Sequence, residues 1–174
     1  FPIVAYGHPV LRKIAEDISA DFPNLPKLIS DMWETMYASA GVGLAAPQVN
    51  KNIRLFVVDT AQMFNGMKEA EKEEYPDGPG VKAVFINAHI VELSGEEWSC
   101  NESVRLRYLD ENFEQQEEEF NGLTARVILH EYDHIEGKLF IDYLPPLKRK
   151  LMKGKLNDIT RGIVKVDYKM LFPG

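Results

Sequence analysis

At 174 residues, with 45% apolar and 27% charged side chains, the chain has the size and balance of one soluble globular domain, expected to span residues 1–174. A net charge of -7 argues against a protein that coats nucleic acid, so no DNA partner is expected; the single cysteine, Cys100, excludes an internal disulfide and suits a reducing cytoplasm. No run of about 18 apolar residues occurs, so neither a membrane span nor a membrane partner is expected.

Phe1-Pro2-Ile3-Val4 has no charged segment leading into a long apolar one, which excludes a complete signal peptide, and the absence of an initiator Met is consistent with a start inside the natural chain. Residues 1–22, broken by Pro2, Gly7 and Pro9, read as a packing arm. From Asn24, a candidate N-cap, Leu25, Leu28, Ile29, Met32, Met36 and Tyr37 recur at three and four, predicting an amphipathic helix that ends near Ala40-Gly41. Gly41-Val42-Gly43-Leu44-Ala45-Ala46-Pro47-Gln48 lacks the Lys and Ser/Thr of a phosphate loop. It reads as a tight turn bringing backbone close to something, with Gln48 as an unassigned polar group.

Arg54 to Asp59 is a buried-strand candidate through Leu55, Phe56, Val57 and Val58. Residues 61–80, with Glu69, Glu71, Glu73, Glu74 and Asp77, read as a solvated surface excursion. Strand composition returns over Val81 to Leu93. Ser103 to Tyr108 alternates as a half-exposed strand and turns at Asp110-Glu111-Asn112 into Phe113 to Phe120, predicting a hairpin. A helix then carries Leu123, Val127, Ile128 and Leu129 up to His130 and should stop at Gly137. Pro145 and Pro146 open a last helix through about Val164, bearing Lys148, Arg149, Lys150, Lys153 and Lys155.

The chemistry concentrates in His130-Glu131-Tyr132-Asp133-His134. On a helix, residues four apart stack on one face, so both histidines can close on one metal ion with Glu131 beside it as a base. A surface helix holding two histidines by chance is the plainer alternative. Yet the chain has four histidines in all, and two fall at this spacing around a glutamate in an otherwise apolar segment, which favours the metal. A catalytic site of this kind needs a third protein ligand and an open position for water, and its natural substrate is an amide.

The segment Gly41 to Gln48 followed by His130 to His134 resembles peptide deformylase, the metalloenzyme that removes the formyl group from the initiator methionine of nascent bacterial proteins. The resemblance extends from Tyr6-Gly7-His8-Pro9-Val10-Leu11-Arg12 to Gly137-Lys138-Leu139-Phe140-Ile141-Asp142. It implies His130 and His134 as metal ligands and Glu131 as catalytic acid/base. Gln48 would polarise the formyl oxygen, the backbone of Gly43 would align the substrate, Leu44 would join in binding it, and Val42 and Leu123 would line a pocket for the methionine side chain. It also implies one divalent metal ion, Fe2+ in the cell with Zn2+ or Ni2+ as replacements, N-formylmethionyl nascent peptides as partners, and a cytoplasmic location. The basic last helix could face the ribosome, or be simply a solvated face.

The departure from the family lies in its middle motif, Glu-Gly-Cys-Leu-Ser, whose cysteine is the third ligand. Here Trp98-Ser99-Cys100-Asn101-Glu102-Ser103 stands instead. One alignment makes Cys100 the ligand but replaces its neighbours wholesale. The preferred one makes Glu102 the motif's leading glutamate, with the cysteine and following loop absent before Ser103. The expected fold is α+β, with small antiparallel sheets around a central metal-binding helix and a C-terminal helix. Two rivals stand beside it. A zinc peptidase would need Glu136 or Asp142 as third ligand, since no histidine follows His134; an inactive or metal-poor relative would serve as a ribosome-associated binder.

Overall fold

The computed structural model describes residues 1–72, 78–94 and 103–173; Cys100, Glu102, Glu73, Glu74 and Asp77 lie outside them. In chain order the elements are β1 (Ile3–Val4), α1 (Leu25–Ala38), β2 (Gly43–Ala45), β3 (Leu55–Asp59), α2 (Ala61–Gly66) and α3 (Glu69–Lys72), then β4 (Lys82–Ser94), β5 (Ser103–Leu109), β6 (Gln115–Asn121), α4 (Gly122–Ile135), α5 (Pro146–Thr160) and β7 (Met170–Leu171). Strands β2-β3-β4-β5-β6 form one antiparallel sheet in that order, and β1 pairs with β7 in parallel.

β3 explains the architecture. All five of its residues are buried, and because successive side chains point to opposite faces, the strand feeds two cores. Leu55 and Val57 pack with Leu28, Ile29, Met32 and Met36 of α1. Phe56 and Val58 join Ala125, Ile128 and Leu129 of α4. The sheet is thus held between two helices, and β3, buried on both faces, reads as an unbroken apolar run from Leu55 to Val58. On the α4 side, Phe85 stacks on Phe56 at 4.7 Å between ring centroids and meets Tyr108 at 4.5 Å and Phe120 at 5.7 Å.

The expected antiparallel sheet has five strands, and among the described residues the β1–β7 pair stands apart from it. Three local expectations are revised. Asn24 precedes α1 in the left-handed region (φ 55°) and makes no side-chain cap bond, a conformation that asparagine tolerates better than most residues. The surface excursion after β3 holds the short helices α2 and α3. α5 stops at Thr160 rather than near Val164, because Gly162 (φ 74°) takes the left-handed position after its cap, and no residue of α5 is buried. Gly137 (φ 69°) does terminate α4 as expected; a Cβ there would meet the Arg12 backbone at 2.9 Å.

Candidate active site

α4 follows β6 without a loop, and its first turn is tied to the end of β3 by the buried hydroxyl pair Thr60 Oγ1 and Thr124 Oγ1 at 2.9 Å. Its apolar side, Ala125, Ile128, Leu129 and Ile135, is fixed in the core. Helical periodicity then turns Leu123, Val127, His130 and His134 to a common face. The two imidazoles meet edge to face, 4.8 Å between ring centroids.

Burial sets the charge state of these groups. His134 is held at a pKa of about 4, first by desolvation and then by the nearby His130. His130 is also lowered by desolvation, partly opposed by Asp133. Both rings are therefore neutral at neutral pH, the form that lends a lone pair to a metal. His134 Nδ1 is buried with no hydrogen-bond partner. Glu131 is 3% exposed, and desolvation pushes its carboxyl up to about 8. Its Oε2 is likewise buried and unpartnered. A paired structural carboxylate would be satisfied; this one is poised to take and give a proton.

β2 supplies the opposite wall. Gly43 and Ala45 share the strand parity that faces α4, and their small size lets Glu131 approach: a Cβ built on Gly43 would lie 2.5 Å from Glu131 Oε1. Leu44 points the other way, into the α1 core, so only its backbone can serve a substrate. Val42 O accepts from Asp59 N–H at 2.8 Å, and by antiparallel alternation Gly43's own N–H and C=O lie on the free outer edge of the sheet. Gln48 Oε1 accepts from Ala45 N–H at 2.7 Å. That bond fixes the amide orientation and leaves Nε2 as the outward donor. The same Ala45 N–H lies against the Glu131 carboxylate and offsets part of its burial. Val42 and Leu123 are half-buried beside this wall and the first turn of α4.

The fold thus gathers Gly43, Gln48, His130, Glu131 and His134 from two distant stretches of chain. The two neutral imidazoles and the orphaned buried atoms beside them fit a divalent metal. Among the described residues no group of three His, Cys, Asp or Glu could complete its ligand set, and Cys100 lies outside them. Asp133, buried on α4, accepts from the Tyr143 hydroxyl. Sequence reasoning did not single out Arg54, whose side chain anchors the far side of α4; a lone charge opening an apolar strand was the available signal.

The polypeptide deformylase family profile matches residues 1–104 and 101–150. The peptide deformylase of Christiangramia forsetii is 47% identical over 190 residues, covering 99% of this chain and 95% of that protein. That of Salinibacter ruber is 40% identical, covering 98% of this chain and 93% of that protein. Among solved structures, the Legionella pneumophila peptide deformylase superposes with a TM-score of 0.74 at 33% identity, covering 94% of this chain and 97% of that one. The Thermus thermophilus enzyme gives 0.71 at 32%, covering 92% and 96%. The 190 positions aligned with the C. forsetii protein exceed the 174 residues here, so that relative carries at least 16 positions without a counterpart. The two stretches of family match meet at residues 101–104. With the glycine strand, the glutamine and the two-histidine helix in one site, and relatives matched along nearly the whole length, this chain belongs to the polypeptide deformylase family.

Proposed function

We propose that this chain, as a metal-dependent peptide deformylase, hydrolyses the N-formyl group of nascent polypeptides with Glu131 as the acid/base and Gln48 as the oxyanion donor. The observation that carries these roles is the buried, unpartnered Glu131 carboxylate set between the imidazole face of α4 and the Cβ-free face of Gly43. An extended peptide laid along the free edge of β2 would bond to Gly43, placing its formyl group over Glu131 with the methionine side chain toward Val42 and Leu123. Leu44 contributes through its backbone. Glu131 takes a proton from the attacking water and delivers it to the amine nitrogen as the C–N bond breaks and formate leaves. Gln48 Nε2 donates to the oxygen on which charge develops.

His130 and His134 would hold the divalent ion, which supplies Lewis acidity to the water and the formyl oxygen. The ion is Fe2+ in the cell, with Zn2+ or Ni2+ as substitutes. The third ligand would belong to a segment missing between Glu102 and Ser103; the overlap of the two family matches at residues 101–104 supports that placement. With two imidazoles alone the ion would be held weakly. An intact mass equal to the 174 residues plus terminal additions would show that the natural chain lacks the segment.

The site belongs in the cytoplasm, where formylated chains emerge. Lys148, Lys150, Lys153 and Lys155 on α5, a helix without a buried residue, leave that helix free to face the ribosome. Formate release from formyl-Met-Ala-Ser by metal-loaded protein tests the reading, and cleavage of unformylated internal peptide bonds instead would point to a zinc peptidase.

A further inference from the structure

Arg54 has surroundings that the chemistry above leaves unexplained. A guanidinium is rarely found in a protein interior, because removing it from water is costly unless its donors are met; this one is 4% exposed. It stands at the entry to β3, where its backbone closes two seams. Its N–H donates to Glu16 O at 2.8 Å, and its C=O accepts from Asn87 N–H at 2.8 Å. The side chain then crosses to α4. Nη1 donates to Glu136 Oε1 at 2.6 Å. Nη2 donates to Ala88 O at 2.6 Å and to Tyr132 Oη at 3.3 Å. The guanidinium carbon lies 5.6 Å from the Tyr132 ring centroid, and Nε faces Asp17 Oδ1 at 3.5 Å, a charge contact rather than a hydrogen bond.

One cation therefore joins the N-terminal arm, β4 and the end of α4. Tyr132 and Glu136 are four apart and share a face, as His130 and His134 do, and the helical repeat puts these two faces on opposite sides of α4. The Ala15 N–H adds a bond to the Ile135 carbonyl at 2.8 Å, so the arm also holds the helix end. A grip on the back of a helix sets its roll about its own axis, and that roll sets where the groups on its front meet β2.

We propose that Arg54 is a positioning residue for the deformylase site: by gripping Tyr132 and Glu136 it fixes the rotation of α4, so that His130, Glu131 and His134 are presented to Gly43 and Gln48. The inference rests on the deformylase reading of those residues. A misplacement of about 1 Å can cost on the order of 100-fold in rate, and losing groups that orient metal ligands costs roughly 10–100-fold in metal affinity.

The test compares Arg54→Met, Arg54→Lys and Glu136→Ala with the unsubstituted chain, each confirmed folded by circular dichroism. Formate release gives kcat and KM, and competition with a chromophoric chelator gives zinc affinity. Folded Arg54→Met should lose about tenfold or more in both kcat and zinc affinity with KM for the formyl peptide changed less than about threefold. Arg54→Lys should recover only part, since a single ammonium cannot reproduce the planar fork that reaches Glu136, Ala88 and Tyr132 together. A role in stability alone would lower the melting temperature and leave kcat and zinc affinity per folded molecule unchanged, and that result overturns the proposal. If Arg54→Met does not fold, Glu136→Ala decides: it removes only the helix-end partner, and unchanged zinc affinity in it overturns the proposal too. Failure of the unsubstituted chain to release formate would remove the deformylase reading, while the zinc competition would still report on Arg54.

Discussion

Gly43 and Glu131 are packed so closely that a methyl group on the glycine would stand 2.5 Å from the Oε1 of the glutamate and 2.8 Å from its carboxyl carbon. A glycine at this point of a strand would ordinarily weaken it; here it makes room for the Glu131 side chain. Gly43→Ala should therefore displace Glu131, lowering kcat by roughly 100-fold and stability by about 1–3 kcal/mol. Steady-state formate release and urea denaturation check both effects. An alanine variant with unchanged kcat would show that Glu131 is free to shift.

Burial of the ionisable pair should make the metal-free protein respond to pH in a definite direction. Glu131 is raised from 4.5 to about 8, so the folded state holds its proton after the unfolded state has lost it, and stability falls as pH rises through that window. His134 is lowered from 6.5 to about 4, so its contribution runs the other way and is complete by pH 6.5. Between pH 6.5 and 8 only the glutamate acts, and the chelator-treated protein should lose about 2 kcal/mol there. Urea denaturation at the two pH values measures the loss, and Glu131→Gln should abolish it.

Gln48→Ala removes the donor whose orientation is fixed by Ala45 N–H. The expected cost is on the order of 100–1,000-fold in kcat with little change in KM, because the bond strengthens only as charge develops. Loss confined to KM would instead mark Gln48 as a ground-state contact.

Much of this site was legible before the fold was known. The i, i+4 histidines around Glu131 and the small-residue run before Gln48 are local patterns with local causes, and α4 and β3 follow from periodicity and apolar continuity. Other features depend on tertiary contact. That Leu44 faces α1 while Gly43 faces Glu131 follows from the pairing of β2 with β3, and the capping of Ala45 by Gln48 from the turn between them. Asn24 looked like a side-chain cap and is a left-handed lead-in, because the sequence signal for the two is the same. The lone charge of Arg54 at the start of an apolar strand was visible, but its role was not, because its partners, Asp17, Ala88, Tyr132 and Glu136, lie on three separate segments.

The core on the α4 side should be sensitive to truncation at its centre. Phe85 is fully buried among Phe56, Tyr108 and Phe120. Phe85→Ala should cost about 3–5 kcal/mol in urea denaturation. A loss below about 1 kcal/mol would mean that the sheet collapses around the cavity.

The most direct measurement is formate release from formyl-Met-Ala-Ser by metal-loaded protein, run beside Glu131→Ala at equal metal content. The expected result is metal-dependent release of one formate per peptide, stopped by a chelator and nearly abolished in Glu131→Ala. Full activity in that variant, or no formate from protein carrying one metal ion per chain, would contradict the assignment of Glu131 as the base of a deformylase.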